Sequence, residues 1–371
     1  MNTFYKVGLM AATILSACPL NASAQDMHLH HGNHENHAAQ KGHKHNAPAA
    51  PLSIMGDHTH KKGEWMVSYR FKHMEMAGNR KGTSSISPEE IVTTIVNPNA
   101  PPATLRVVPT KMDMDMHMLS AMYGVSDKLT LMAMAMYMKN DMTHITFAGM
   151  AGSTELGRFT TRSSGWGDTS LTGIYNLYET ANHNVNISLG LSAPTGSIKE
   201  EDDILSPANT TPTLRLPYAM QLGSGTWDSL TAVTYSGHSD KYSWGVQYNG
   251  VIRLENKNAQ GYRLGDRHTL TGWGGYKVSN QITVNALVSG ETIGKIKGAD
   301  ANITAPVQTA NPDNYGGKTI ELGAGFTYAF DTPSLKGLEF GVEARLPVYQ
   351  NLNGVQMERD WNITTGLTYR F

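Results

Sequence analysis

Lys111 to Met142 reads KMDMDMHMLSAMYGVSDKLTLMAMAMYMKNDM, and methionine recurs in it at every second position on both sides of a short interruption. Met112, Met114, Met116, Met118 and Met122 make the first run, Met132, Met134, Met136 and Met138 the second, with Gly124 to Asp127 between them. A period of two is the strand period, in which alternate side chains share one face. The stretch therefore predicts a β-hairpin. Asp113, Asp115 and His117 interleave with the first run, so that strand carries thioethers on one face and charge on the other. An apolar medium on one side and a polar one on the other would satisfy both faces, and a membrane barrel supplies the two together.

The register of this hairpin decides which groups meet. Pairing Tyr123 with Lys128 across a four-residue turn would set Met112 to Met118 beside Leu129, Leu131, Ala133 and Ala135, toward lipid. Met132, Met134, Met136 and Met138 would then join Asp113, Asp115 and His117 inside, with Met66, Met74 and Met76 on the inward parity of the preceding strand. A slip of one residue would instead place both methionine rows on one face. The first pairing is the expectation. Its inward band is a candidate metal site, since thioethers are soft ligands suited to Cu(I). Methionine is also an adaptable apolar side chain, which by itself would account for a lipid-facing row.

Outside the N-terminus no run of eighteen apolar residues occurs in the 371-residue chain, which excludes a helical membrane span. Transmembrane strands leave no such trace, and a mean hydropathy of −0.35 is compatible with them. The formal net charge is −1 and no basic stripe is present, which argues against a nucleic-acid partner.

Residues 1–24, MNTFYKVGLMAATILSACPLNASA, have the form of a signal peptide, with Lys6 before an apolar stretch and Ala22-Ser23-Ala24 at the cleavage site. The Leu15-Ser16-Ala17-Cys18 run also resembles a lipoprotein signal, which would leave Cys18 as a lipidated N-terminus. Either route exports the chain, and cysteine is absent after Cys18. Residues 25–62 are polar and of low complexity, which predicts a disordered tail. His28, His30, His31, His34, His37, His43, His45, His58 and His60 are scattered through it at spacings that let several imidazoles converge on one transition-metal ion. A plain soluble spacer is the competing reading.

From Glu64 onward, segments of about ten residues alternate apolar and polar side chains, the signature of a transmembrane barrel. Glu64–Met76, the two halves of the methionine hairpin, Trp166–Tyr178, Asn184–Pro194, Thr226–Tyr235, Tyr242–Leu254, Leu264–Val278, Gln281–Gly294, Lys318–Phe330, Gly337–Val348 and Asp360–Phe371 predict about 12 strands. Short connections such as Ser279–Asn280 alternate with long ones such as Gly196–Gly225. In outer-membrane barrels the short turns are periplasmic and the long loops extracellular. The expected fold is thus an all-β, antiparallel, up-and-down transmembrane barrel over residues 63–371, in the bacterial outer membrane, with both termini and the histidine tail periplasmic. A soluble β-sandwich is the structural alternative. By alternation, Arg70, Lys72, Arg253, Arg267, Lys277, Glu291, Glu321, Glu339, Glu343, Arg345 and Arg370 face the lumen, either filling it with ion pairs or lining an open channel.

The closing residues, Thr364 to Phe371, resemble the terminal strand by which the outer-membrane assembly machinery recognises its clients, which makes that machinery an expected partner beside outer-membrane lipid. Further upstream, Tyr123-Gly124-Val125-Ser126-Asp127-Lys128-Leu129-Thr130-Leu131, Gly165-Trp166-Gly167-Asp168-Thr169-Ser170-Leu171, Leu189-Gly190-Leu191-Ser192-Ala193-Pro194-Thr195-Gly196 and Met220-Gln221-Leu222-Gly223-Ser224-Gly225-Thr226-Trp227-Asp228 resemble the family of outer-membrane barrels catalogued under a meta-pathway of phenol degradation. The resemblance spans roughly Gly63 to Phe371 and implies a transporter. It fixes neither a substrate nor site residues. A histidine-rich leader with a methionine-rich hairpin looks like the branch linked to metal handling, copper especially.

The functional expectation is a passive channel with no required cofactor, in which the tail collects a transition-metal ion and the methionine strands contact it. Uptake of small aromatic or hydrophobic solutes, and a non-conducting barrel that sequesters metal, are the alternatives. Catalysis is not expected: His144 with Ser163 and Ser164 is the nearest approach to a hydrolase pair, and no sequence motif joins them.

Overall fold

In the computed structural model residues 48–371 are described, and the leader, Cys18 and the tail histidines from His28 to His45 lie outside them. Among the described residues, eleven β elements close into one antiparallel ring. In chain order these and one partner strand are β1 (Trp65–Gly82), β2 (Val107–Ser126), β3 (Leu129–Phe147), β4 (Glu155–Trp166), β5 (Thr169–Glu179), β6 (His183–Ala193), β7 (Asp228–His238), β8 (Tyr242–Arg253), β9 (Arg267–Lys277), β10 (Ile282–Ile293), β11 (Gly317–Ala329) and β12 (Leu338–Arg370). Each ring member pairs with its chain neighbour, and β12 closes the ring onto β1. β4 lies off the ring and pairs with β3.

β12 is itself a hairpin. Its first part pairs with β11 up to Leu352 and its second pairs with β1 from Leu352 onward. The backbone reverses at Gly354, with φ of +61°, and Arg370 N donates to Gly337 O at 3.0 Å, so the two ends of the element meet. Counting both arms gives twelve crossings of the membrane, as the alternation predicts.

The lipid face follows from the same alternation. Leu119, Leu189, Leu270, Leu322 and Leu346 are all at least half exposed and point outward, whereas their strand neighbours point in. With no edge left unpaired in the ring, each backbone group within the apolar layer finds its partner between strands. The seam is sealed by Trp65 N to Phe371 O and Phe371 N to Trp65 O, both 2.9 Å.

β1, β2 and β3 run to 18, 20 and 19 residues, well beyond the roughly 9–11 that cross a bilayer, so these strands stand above the membrane on the extracellular side. The segments read as loops at 143–165 and 349–359 are largely strand for this reason. Around the projecting strands the long connections pack into a cap. Helix α1 (Pro88–Thr94), capped by Ser87 Oγ accepting from Glu90 N at 3.2 Å, buries Ile91 and Val92 against Leu105, Val108, Ile145 and Phe147. A second cluster joins Tyr218, Tyr262, Ile303 and Val307, where burial pushes the Tyr262 phenol up to about 12.

Candidate functional site

Both methionine rows face the lumen. Met112 lies opposite Met142, Met116 opposite Met138, Met118 opposite Met136 and Met122 opposite Met132. The pairing of Tyr123 with Lys128 is overturned, because Gly124 pairs with Thr130 and Ser126 with Leu129, leaving one residue unpaired in a bulge. That single residue reverses the parity of β2 relative to β3. β1 extends the wall with Met66 opposite Met122, Met74 opposite Met114 and Met76 opposite Met112. Three adjacent strands thus present thioethers inward, densely on β2 and β3 and at both ends of the β1 row, where Ser68, Arg70 and Lys72 stand between Met66 and Met74.

The two ends of this wall are packed and its middle is partly exposed. At the extracellular end Met112, Met142, Met220 and Met357 form a buried cluster with Leu216. At the periplasmic end Met66, Met122, Met132 and Ile174 pack with Met55. Met116, Met118, Met134 and Met136 between them are half-buried on the lumenal face.

The corrected register sends Asp113, Asp115 and His117 to the outside of the barrel, away from Met132, Met134, Met136 and Met138. His117 Nδ1 shares a 2.8 Å hydrogen bond with Tyr69 Oη on the outer surface, and His73 Nδ1 shares one of 2.7 Å with Asp115. His73, Glu75 and Asp113 converge closely enough to hold an ion. The Lys111 ammonium already bridges Glu75 and Asp113 at 3.0 and 3.2 Å. This belt of charge sits on the outer face of β1 and β2, beyond the apolar zone of Val67, Tyr69 and Leu119.

The lumenal charges lie on the inward parity read from the sequence, most of them across from the methionine wall. Arg359 meets Glu291 at 2.6 Å and Glu321 at 3.3 Å; Arg345 meets Glu343 at 2.7 Å; Arg267 reaches Glu291 at 3.6 Å. Arg253 pairs with Asp228 and Arg370 with Glu339. Arg70 and Lys72 project from β1 beside Met118 and Met116 and form no ion pair among the described residues.

Residues 48–62 do not form a tail outside the barrel, as their composition predicts; they run through its lumen. Ser53 donates from N and Oγ to Glu343 Oε2 at 3.1 and 2.9 Å. Gln247 Nε2 donates to Met55 O at 2.7 Å, Asn186 Nδ2 to Gly56 O at 3.1 Å, and His60 N to Thr130 Oγ1 at 2.8 Å. Ile54 packs on Trp273 and Leu287. Polar lumenal side chains thus satisfy an irregular backbone that no regular sheet could, and so a plug is held. Its amino acids carry no period and no apolar run, so only the barrel's inward Asn, Gln and Glu residues could have signalled it.

His58 and His60 are consequently inside. His58 Nδ1 lies 2.8 Å from Asp57 Oδ1, and that carboxylate raises the imidazole pKa. His60 Nδ1 lies 3.4 Å from Glu64 Oε2, while burial pushes its pKa down to about 4. His144 and Ser163 are not brought together: His144 stacks on Phe159 with ring centroids 4.7 Å apart, and Ser163 Oγ donates to Met220 O at 2.7 Å.

One departure from regular pairing marks the wall. β3 pairs with β5 up to Met134 and with β4 from Tyr137, and the intervening Gly167-Asp168 bulges, with Gly167 N donating to Met136 O at 2.7 Å. Asp168 accepts from Gly196 N at 2.9 Å and from Ser224 N and Oγ at 2.8 and 2.7 Å, tying the 194–227 loop over the edge that β4 would otherwise expose.

A closed, lipid-faced, plugged barrel with a polar and thioether lumen has the architecture of an outer-membrane β-barrel. The chain belongs to the family described as "Putative MetA-pathway of phenol degradation", whose model matches residues 123–353. Among solved structures it is similar to an outer membrane channel from Pseudomonas putida F1, at 16% identity and a TM-score of 0.55, covering 87% of this chain and 100% of that one. It also matches a Pseudomonas aeruginosa FadL homologue at 11% identity and a TM-score of 0.44, covering 83% and 90%, and the Pseudomonas putida toluene transporter TodX at 10% and 0.41, covering 84% and 90%. No curated protein matches the sequence.

Proposed function

We propose that this outer-membrane channel passes a soft transition-metal ion, Cu(I), along its methionine wall by passive exchange. The carrying observation is segregation. On β1, β2 and β3 every methionine faces the lumen, while the lipid face of the same strands uses Val67, Leu119, Leu131, Tyr69 and Trp65. A residue chosen only for apolarity would serve lipid equally well. Thioether sulfur suits Cu(I) and does not suit the hard cations abundant outside the cell, so the wall would select while it conducts. Many weak neighbouring sites also favour exit as well as entry.

The test is flux into vesicles. With Met116, Met118, Met134 and Met136 changed to Leu, the barrel keeps its volume, a swap that costs less than about 1.5 kcal/mol per site. Cu(I) or Ag(I) entry should fall at least tenfold on the scale of the unsubstituted protein's entry, by loss of ligand alone. Equal flux in the two proteins would sink the reading.

Uptake of small aromatic solutes is the second reading, favoured by the unpaired Arg70 and Lys72 beside Met118 and Met116. Sulfur and ring faces attract, and a guanidinium or ammonium would receive a phenolate or carboxylate. Faster benzoate entry than in Arg70→Gln with Lys72→Gln would support it, and flux unaffected by those changes would reject it.

A further inference from the structure

The bottom of the methionine wall meets the plug at His58 and His60, and the geometry points to a metal-binding site formed by this histidine pair at the periplasmic end of the lumen, taking Cu(I) through two imidazole nitrogens. The inference rests on the Cu(I) reading for the identity of the ion, and on the pair itself for the existence of the site. The two ring centroids are 5.1 Å apart with planes at 72°. That spacing is compatible with an ion about 2.0–2.1 Å from one nitrogen of each ring, with the two bonds at a bent angle.

Each ring is already oriented as a ligand would be. Nδ1 of His58 faces the Asp57 carboxylate and Nδ1 of His60 faces that of Glu64, which puts the ring proton on Nδ1 and leaves Nε2 as the free lone pair. A carboxylate behind each ring fixes the tautomer and raises ligand basicity, the usual outer support of a histidine metal site. Both Nε2 atoms are buried and without a hydrogen-bond partner among the described residues. A buried imidazole nitrogen without a partner carries a desolvation cost, and two on neighbouring rings can be relieved by one shared ion.

The plug holds both rings to one frame. His60 N is fixed to Thr130 Oγ1 at 2.8 Å, Lys62 N to Asp127 Oδ1 at 3.0 Å, and the Asp57 carbonyl accepts from Asn184 and Ser236 at 3.2 and 3.4 Å. The carboxylates of Asp57 and Glu64 stand directly beside the pair, at 2.8 and 3.4 Å from the two Nδ1 atoms, and supply negative charge next to it. Thr130 also precedes Met132 by one inward position on β3, which brings the last thioethers of the wall next to the imidazoles. Two imidazoles beside soft thioethers suit Cu(I) better than Zn²⁺, whose structural sites take four ligands.

The experiment uses the full chain in detergent, with the seven histidines from His28 to His45 changed to Asn so that the tail does not contribute. Cu(I) is titrated anaerobically against a chromogenic chelator, with Zn²⁺ as a parallel arm. One Cu(I) per chain is expected, with X-ray absorption showing two imidazole scatterers. His58→Asn or His60→Asn should weaken it at least tenfold. Asp57→Asn and Glu64→Gln, which leave both rings in place, should weaken it by roughly 10–100-fold. Heat-resistant migration of each variant checks that the barrel is closed. Unchanged affinity in the His58 and His60 variants, or no Cu(I) bound in the seven-histidine background, overturns the site; tighter Zn²⁺ than Cu(I) overturns the assignment of the ion. Vesicle flux tests the channel reading independently, because a pair that binds Cu(I) in a barrel that passes none leaves the site standing and removes the conduction.

Discussion

Glu343 is the firmest anchor of the plug, and removing it should unfasten residues 48–54 without opening the ring. Its carboxylate is 2% exposed and takes two hydrogen bonds from Ser53, from N at 3.1 Å and from Oγ at 2.9 Å. Hydrogen bonds to a charged group contribute about 1.5–3 kcal/mol each, and in a lumen that admits water the lower figure applies, so Glu343→Ala should cost the docked plug about 3 kcal/mol. At about 1.4 kcal/mol per tenfold, the detached population rises about 100-fold. Ser53→Ala keeps the bond from N and loses that from Oγ, which predicts about a tenfold rise on the same scale. Limited proteolysis within 48–57 reads that population directly when opening and closing outpace cleavage. Single-channel recording should show correspondingly longer conducting intervals. If Glu343→Ala is cleaved at the unsubstituted rate in a barrel that still migrates as closed, the plug is not held by this carboxylate and the account of lumenal anchoring is wrong.

Three other perturbations test the cap and the turn. Arg106 is fully buried and donates to the carbonyls of Ala148, Gly149 and Gly152 at 2.7, 3.1 and 2.6 Å, so Arg106→Ala should destabilise that loop by on the order of 4 kcal/mol, seen as faster amide exchange over 148–154 and nowhere on the lipid-facing strands. Asp168→Ala releases the 194–227 loop from the β4–β5 bulge at a cost of about 3 kcal/mol, and exchange at Gly196 and Ser224 should rise while that at Leu189 stays constant. In Gly124→Ala the added methyl would sit 1.9 Å from Lys61 O, so the plug must shift at its root; cleavage after Lys61 should become easier, and a variant as resistant as the parent would contradict the close approach.

The ring itself was legible because each crossing repeats one physical demand, lipid outside and polar groups inside, and period two records it residue by residue. Leu189 and Leu191 against Asn186 and Ser188 are enough to orient a strand. Register was not legible in the one place where it mattered most. Gly124 to Ser126 accommodates an extra residue with no mark that separates a bulge from a plain turn, and the error moved Asp113, Asp115 and His117 to the wrong side. The plug was hidden for a different reason. Its bonds are made by backbone groups of residues 48–62 to side chains far along the chain, such as His60 to Thr130, 70 residues away, and Ser53 to Glu343, 290 residues away, and a low-complexity segment gives no local sign that it has such partners. His58 and His60 therefore looked like two more members of a scattered set, although Asp57 one residue before the first and Glu64 four residues after the second were visible as their supports.

The seam between Trp65 and Phe371 bears on how the molecule is assembled. The lumen does not exist until the carboxyl-terminal residue has arrived, yet the segment that fills it was synthesised long before. Residues 48–62 take their bonds from β3, β6, β8 and β12 together, partners that surround one space only after the last strand has met the first. A chain stalled with an open seam leaves that segment unsatisfied and open to periplasmic proteases, whereas a finished one hides it. Docking of the plug and closing of the wall are thus completed by the same event, the pairing of the last strand with the first.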